Sequence, residues 1–220
     1  MKLNKVLLLL LMRYSKNMRY FIWIIFFSVF VNTISIADEL PKACLQDCAN
    51  TFGVELGESA SGVKAFSNCN NSCVNPEPFF INKTFTGIQW QCVEYARRWL
   101  LENKHVVYGD VDIAADIWQL EQVLNPNTKA EYTFQGFVNG SQDVGLERGD
   151  LLIYSKEFYG TGHVAVVLNV DDENVYVGEQ NFNNQKWQGD YARAVPYINH
   201  ENHLWLLDAY LIGWKRVISQ

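Results

Sequence analysis

The chain has 220 residues, 49% hydrophobic, 19% charged and 14% aromatic, which suits one ordinary domain with appendages, or at most two small ones. Seven Trp and 11 Tyr exclude a disordered chain, and only five Pro with 14 Gly exclude collagen-like or low-complexity sequence. The formal net charge of -6 hides an asymmetry: residues 1–37 carry basic residues and no acid, so the rest is strongly acidic, which disfavours nucleic acid as a partner and tolerates or attracts a cationic ligand.

Phe21 to Val31 reads FIWIIFFSVFV, preceded by Lys2, Lys5, Arg13, Lys16 and Arg19 and followed by Ser35-Ile36-Ala37. Basic residues, a short apolar run and small residues at -3 and -1 of a cut before Asp38 are the layout of a secretory signal peptide over residues 1–37. The protein is therefore expected to be secreted or periplasmic, with no stable membrane anchor after cleavage. The alternative is an uncleaved helix that anchors the chain, although the run falls short of the roughly 20 residues a spanning helix needs. A second apolar run, Val6 to Met12, precedes Arg13, and Met18 would begin a tidier signal.

Residues 38–75 are polar, rich in Asn and Ser, and hold four of the five cysteines: Cys44, Cys48, Cys69 and Cys73. A secretory context favours disulfides. Each Cys-x3-Cys pair would share one helical face, and an antiparallel helical hairpin would join Cys44 to Cys73 and Cys48 to Cys69. A zinc site of four thiolates is the alternative, although zinc sites more often use Cys-x2-Cys. Asn75-Pro76-Glu77-Pro78 reads as a break, so residues 38–75 are expected to form a cysteine-stapled extension and residues 76–220 the main domain.

From Cys92 to about Lys104 the pattern is helical, with Cys92, Tyr95, Ala96, Trp99 and Leu100 on one face and Glu94, Arg97, Arg98 and Glu102 away from it. Val111 to Leu124 reads as a second helix ended by Asn125-Pro126. The rhythm then changes to short runs: Asp150–Tyr154, His163–Val170, Asn174–Gln180, Leu204–Leu207 and Leu211–Val217 read as strands. Helices first and strands afterwards predict an α+β fold, with N-terminal helices packed on an antiparallel sheet.

Cys92, the unpaired cysteine, sits at the start of its helix, where the positive end of the helix dipole favours thiolate. Gly160-Thr161-Gly162-His163 leads into a very apolar strand, and the next strand carries Glu179 and Asn181 on the face of Val175 and Val177. In a hairpin around Asp171-Asp172-Glu173, pairs summing to 344 set His163 opposite Asn181 with Glu179 diagonal; pairs summing to 342 set it opposite Glu179. Either register brings an acceptor to the imidazole. A thiol, an imidazole and an orienting group are the parts of nucleophilic acyl transfer. Taken singly each has a bland reading: a core cysteine, a structural histidine, a surface acid. Neither a metal-ligand spacing nor a glycine-rich phosphate loop is present in the sequence, so neither metal nor cofactor is expected.

Five blocks in order carry a family resemblance: Gln89-Trp90-Gln91-Cys92-Val93-Glu94-Tyr95-Ala96-Arg97-Arg98, Gly149-Asp150-Leu151-Leu152-Ile153, Thr161-Gly162-His163-Val164-Ala165, Gly178-Glu179-Gln180-Asn181 and Ile212-Gly213-Trp214. Together they resemble the CHAP superfamily of cysteine, histidine-dependent amidohydrolases and peptidases. Within it they look most like the amidase domain of glutathionylspermidine synthetase/amidase and trypanothione synthetase. The resemblance implies a papain-like α+β fold, with Cys92 as nucleophile, His163 as general base and then acid, and Glu179 orienting His163. It sets Gln91, Arg97 and Asn181 along the substrate cleft, and the Cys92 backbone N–H at the oxyanion. It implies hydrolysis of a small-molecule amide or a peptide through a thioester, of glutathionylspermidine type in an exported, stand-alone amidase. The other expectations are a peptidoglycan amidase or endopeptidase with the same triad, and a binding protein that keeps the fold without the chemistry.

Overall fold

A computed structural model describes residues 39–218, which belong to one compact unit. The signal peptide expected over residues 1–37 lies outside the described residues. Within them, no helix is long and apolar enough to cross a membrane.

The described residues begin with a single 3-10 turn, Lys42–Cys44. Four short strands follow in two hairpins: β1 (Glu55–Glu58) with β2 (Lys64–Phe66), and β3 (Pro78–Ile81) with β4 (Thr84–Ile88). Then come α1 (Cys92–Lys104), β5 (Val107–Tyr108), a 3-10 segment (Ala114–Gln119), β6 (Gln122–Leu124) and β7 (Glu131–Val138). The C-terminal half is all strand: β8 (Leu151–Tyr154), β9 (His163–Val170), β10 (Asn174–Gly178), β11 (Arg193–His200), β12 (His203–Leu206) and β13 (Leu211–Ile218). Nine of these strands form one antiparallel sheet, in the order β12-β11-β10-β9-β8-β13-β7-β6-β5.

The antiparallel sheet is as predicted, but the N-terminal helices are not. Four strands precede α1, which is the only α-helix among the described residues. Val111 to Leu124 is not a helix: Ile117 falls on the 3-10 segment and Val123 on β6, and both are buried. The helical spacing of the apolar residues spans a turn and a strand that face the same core. Asn125 does close the segment, because its side chain accepts from the Asn127 and Thr128 N–H groups and shapes the β6–β7 hairpin.

The central strands are the most apolar. All four residues of β8 and the first five of β9 are buried, the pattern of strands covered on both faces. One face carries α1, whose Tyr95, Ala96, Trp99 and Leu100 pack with Leu151, Ile153, Val164 and Val166. On the other face Leu152, Ala165 and Val167 meet Val175, Val177, Val195 and Trp214. Side chains as fully buried as Leu100 or Ile153 each contribute roughly 1.5–3 kcal/mol. That seats α1 firmly on the sheet.

Cys44 is bonded to Cys73 and Cys48 to Cys69, the pairing expected from the sequence. The scaffold differs from a helical hairpin, since Cys44 ends a 3-10 turn and Cys48, Cys69 and Cys73 lie in irregular backbone.

Candidate active site

Four segments meet at the site: the N-terminus of α1, the start of β9, the residues just after β10, and the disulfide-held segment around Asn68. Cys92 is the first residue of α1. Its backbone N–H has no acceptor within the helix, because the first turn never does. Gln91 holds an extended backbone at the N-cap and makes no side-chain cap. Gly87 permits the close approach of β4 to this turn: a Cβ there would stand 2.8 Å from that of Glu94, and its φ is +145°.

His163 begins β9, paired with Tyr154 at the end of β8. Gly162, at φ +72°, makes the turn into it, and a Cβ there would lie 2.5 Å from the Tyr154 carbonyl oxygen. The β9–β10 hairpin carries a bulge, with pairs summing to 345 near its tip and to 344 toward the site. The second register puts Glu179 diagonal to His163, and the side chains meet: His163 Nε2 donates to Glu179 Oε2 at 2.8 Å. A carboxylate only accepts, so Nε2 carries the proton and Nδ1 is the nitrogen left for the Cys92 thiol.

The ring is 2% exposed, enclosed by Tyr154, Phe158 and Phe182 with centroids 5.3 to 6.0 Å away. Burial disfavours the charged imidazole, but the adjacent Cys92 sulfur and the Glu179 carboxylate outweigh it and raise the pKa to about 9. At neutral pH the imidazole is therefore a cation, held by the Glu179 carboxylate and set beside the Cys92 sulfur. Burial likewise pushes Glu179 up, but His163 and Arg193 outweigh it and hold the carboxyl below its ordinary value of 4.5.

Arg193 was not singled out in the sequence. Its Nε donates to Glu179 Oε1 at 2.7 Å, Nη1 to Asp208 Oδ2 at 2.6 Å, and Nη2 to the Tyr154 hydroxyl at 2.8 Å. It starts β11 opposite Val177, on the face whose next member is Glu179. Strand alternation would have found it, had residues 193–200 been read as a strand.

A cleft of about 350 Å³ opens over the pair, and its lining includes Gln91, Cys92, His163 and Asn181. Its only other charged side chains are Asp110 and Asp112. Gln91 and Asn181 thus reach the cleft, as expected, and they bond to each other, Asn181 Nδ2 donating to Gln91 Oε1 at 2.7 Å.

Arg97 requires correction. It does not line the cleft. Its guanidinium is buried and donates through Nε and Nη2 to the Tyr108 carbonyl and through Nη1 to Asp110. That arrangement pins β5 to α1. Of the expected polar face of α1 only Glu102 is exposed, since Glu94, Arg97 and Arg98 are all buried. Arg98 Nε and Nη2 grip both oxygens of Glu94 at 2.7 and 3.1 Å, while Thr86 and Gln180 donate to the same carboxylate. Gln180, next to Glu179, also donates to the Gln91 carbonyl at 3.2 Å, tying the two halves of the site together.

The comparisons with known proteins fit this arrangement. The CHAP domain family model matches residues 83–181, a span that runs from the β3–β4 turn through Cys92, His163 and Glu179. The chain carries a CHAP domain. It is 33% identical over 187 residues to the bifunctional glutathionylspermidine synthetase/amidase of Escherichia coli, covering 74% of this chain and 29% of that protein. It is 32% identical over 172 residues to trypanothione synthetase of Crithidia fasciculata, covering 78% of this chain and 26% of that protein. The chain thus spans little more than a quarter of the length of these relatives.

Proposed function

We propose that the protein is a cysteine amidohydrolase in which Cys92 is the nucleophile, His163 the acid and base, and Glu179 the group that orients His163. The observation that carries this reading is the buried His163–Glu179 hydrogen bond at 2.8 Å, beside the one cysteine free among the described residues, on the wall of a cleft.

The thiolate of Cys92 attacks the carbonyl carbon of the scissile amide, forming a C–S bond and an oxyanion. The Cys92 backbone N–H, at the positive end of α1, stabilises that charge. The imidazolium of His163 gives its proton to the amide nitrogen, the C–N bond breaks, and the amine leaves. Water then attacks the thioester while His163 takes a proton from it. The second oxyanion collapses, the C–S bond breaks, the carboxylic acid leaves, and the Cys92 thiolate is restored beside the His163 imidazolium. Glu179 stays ionised throughout, holding the ring by Nε2 so that Nδ1 faces the sulfur.

For the substrate, we infer a conjugate whose leaving amine is cationic, of the glutathionylspermidine type. Two features support this. One relative is named as a glutathionylspermidine synthetase/amidase. The cleft is lined by Asp110 and Asp112 and by no Lys or Arg, which suits a polyamine. The signal-like N-terminus and the two disulfides support action outside the reducing compartments of the cell.

The test is incubation of the full chain with glutathionylspermidine and, separately, with purified peptidoglycan, with Cys92→Ala beside each and products read by mass spectrometry. The expected result is spermidine release by the wild type alone. Release of wall fragments instead would assign the same chemistry to a cell-wall substrate. Turnover of neither would overturn the amidase reading.

A further inference from the structure

Asn68 lies in the disulfide-held segment, outside the span matched by the CHAP family model, and is fully buried. Its side-chain amide makes four hydrogen bonds, and together they fix which end of the amide points where. Its Nδ2 donates to the Asn70 and Cys73 carbonyls at 3.1 and 2.7 Å, so Oδ1 must lie on the opposite side. There Oδ1 accepts from the Trp90 backbone N–H and from Gln91 Nε2, both at 3.2 Å. Its own N–H donates to Asn184 Oδ1 at 2.7 Å. These two acceptances fall on the two residues that immediately precede Cys92.

The two disulfides tie down the segment that follows Asn68. Cys69 follows it and is bonded to Cys48; Cys73, whose carbonyl also accepts from Gln91 Nε2 at 3.1 Å, is bonded to Cys44. Gln91 Nε2 is therefore committed to Asn68 and Cys73, and Gln91 Oε1 to Asn181. With its amide satisfied, Gln91 is braced rather than free to follow a substrate. The donor that this segment holds in place is the backbone N–H of Cys92.

We propose that Asn68 is a positioning residue of the active site: it anchors the Trp90–Gln91 backbone so that the Cys92 N–H meets the oxyanion, which makes the stapled segment part of the catalytic unit. This inference rests on the amidase reading above. It assigns Asn68 to the acyl-transfer step and not to the thiolate–imidazolium pair, which it does not touch.

Those two functions separate experimentally. Alkylation of Cys92 by iodoacetamide needs the thiolate and no oxyanion donor; amide hydrolysis needs both. The experiment measures kcat and KM on glutathionylspermidine, and the Cys92 alkylation rate by peptide mass spectrometry, for wild type, Asn68→Ala and Gln91→Met. For Asn68→Ala the expected result is a fall in kcat of at least tenfold, KM within about threefold of wild type, and an alkylation rate within about twofold. Gln91→Met reaches the same contact from the exposed side and keeps the test open if Asn68→Ala fails to fold; it is expected to lower kcat with KM held.

An unchanged kcat in the variant that folds would overturn the inference, as would a parallel fall of kcat and alkylation rate, which marks general loosening. A rise in KM with kcat held in Gln91→Met would make Gln91 a substrate contact and overturn it too. A wild type that alkylates at Cys92 but hydrolyses nothing would remove the amidase reading and this inference together. A wild type that hydrolyses while Asn68→Ala hydrolyses equally would remove this inference alone.

Discussion

Two buried carboxylates, Glu94 and Glu179, each meet an arginine, and the surroundings give them different work. Glu94 is sealed beneath α1, with Arg98 gripping both oxygens and both side chains at most 4% exposed. Thr86 and Gln180 supply further donors, so every strong acceptor position is filled. Glu179 shares one oxygen with Arg193 and the other with His163, and Arg193 is 21% exposed at the rim. The first cluster joins β4, α1 and the 179–181 segment and lies away from the cleft. The second is built around the His163 proton, which moves in the proposed mechanism. A closed ion pair holds this site together, while a partly open one tunes it.

Breaking the closed pair is expected to have the larger effect on stability. Glu94→Ala leaves the Arg98 guanidinium buried without its counter-ion, a loss of about 3–5 kcal/mol. A melting curve of the variant should fall by roughly 10 °C in a domain of this size. A shift within a degree or two would show that the cluster is not the brace described here.

Breaking the open pair should act on chemistry first. Glu179→Gln removes the carboxylate that helps hold His163 protonated, so kcat is expected to fall by roughly a hundredfold. The alkaline limb of kcat/KM should move below about 9, the pKa set for the wild-type ring. The imidazolium–carboxylate pair also stabilises the fold over a defined window. The His163 contribution is present in full below its ordinary value of 6.5 and lost as pH rises through about 9. The Glu179 contribution is present above its ordinary value of 4.5 and lost as pH falls below it. The melting-temperature gap between wild type and Glu179→Gln should therefore be widest between pH 4.5 and 6.5 and narrow on either side. The smallest effect belongs to Asp208→Asn. Asp208 is 23% exposed and reaches Glu179 only through Arg193, so kcat should stay within about threefold and stability within about 1 kcal/mol.

The same contrast explains how much was legible in the sequence. His163 and Glu179 lie 16 residues apart on one hairpin, so strand alternation and a choice of two registers were enough to bring them together. Cys92 was legible because a helix start is a local signal. The burial of Glu94, Arg97 and Arg98 was not, because a charged residue on a helix reads as solvent-facing until its partner from another element is known. Arg98 is covered by the Lys64 carbonyl from β2 and by Gln180, 34 and 82 residues away. Arg193 escapes a reading in which residues 193–200 are not a strand, and Asn68 serves the proposed site through contacts made only when distant segments meet. The segment Val111–Leu124 misled in the opposite sense, since apolar spacing cannot tell a helix from a turn and strand that face one core.

The most direct measurement is a site-resolved titration of the His163 imidazole by NMR, in wild type and in Cys92→Ala. The charge couple described here requires the wild-type ring to lose its proton at about pH 9 and the Cys92→Ala ring to lose it at clearly lower pH, because the sulfur is the strongest of the influences that raise it. A ring that titrates at the same pH in both proteins would contradict it, since Cys92 and His163 would then not be acting as one unit.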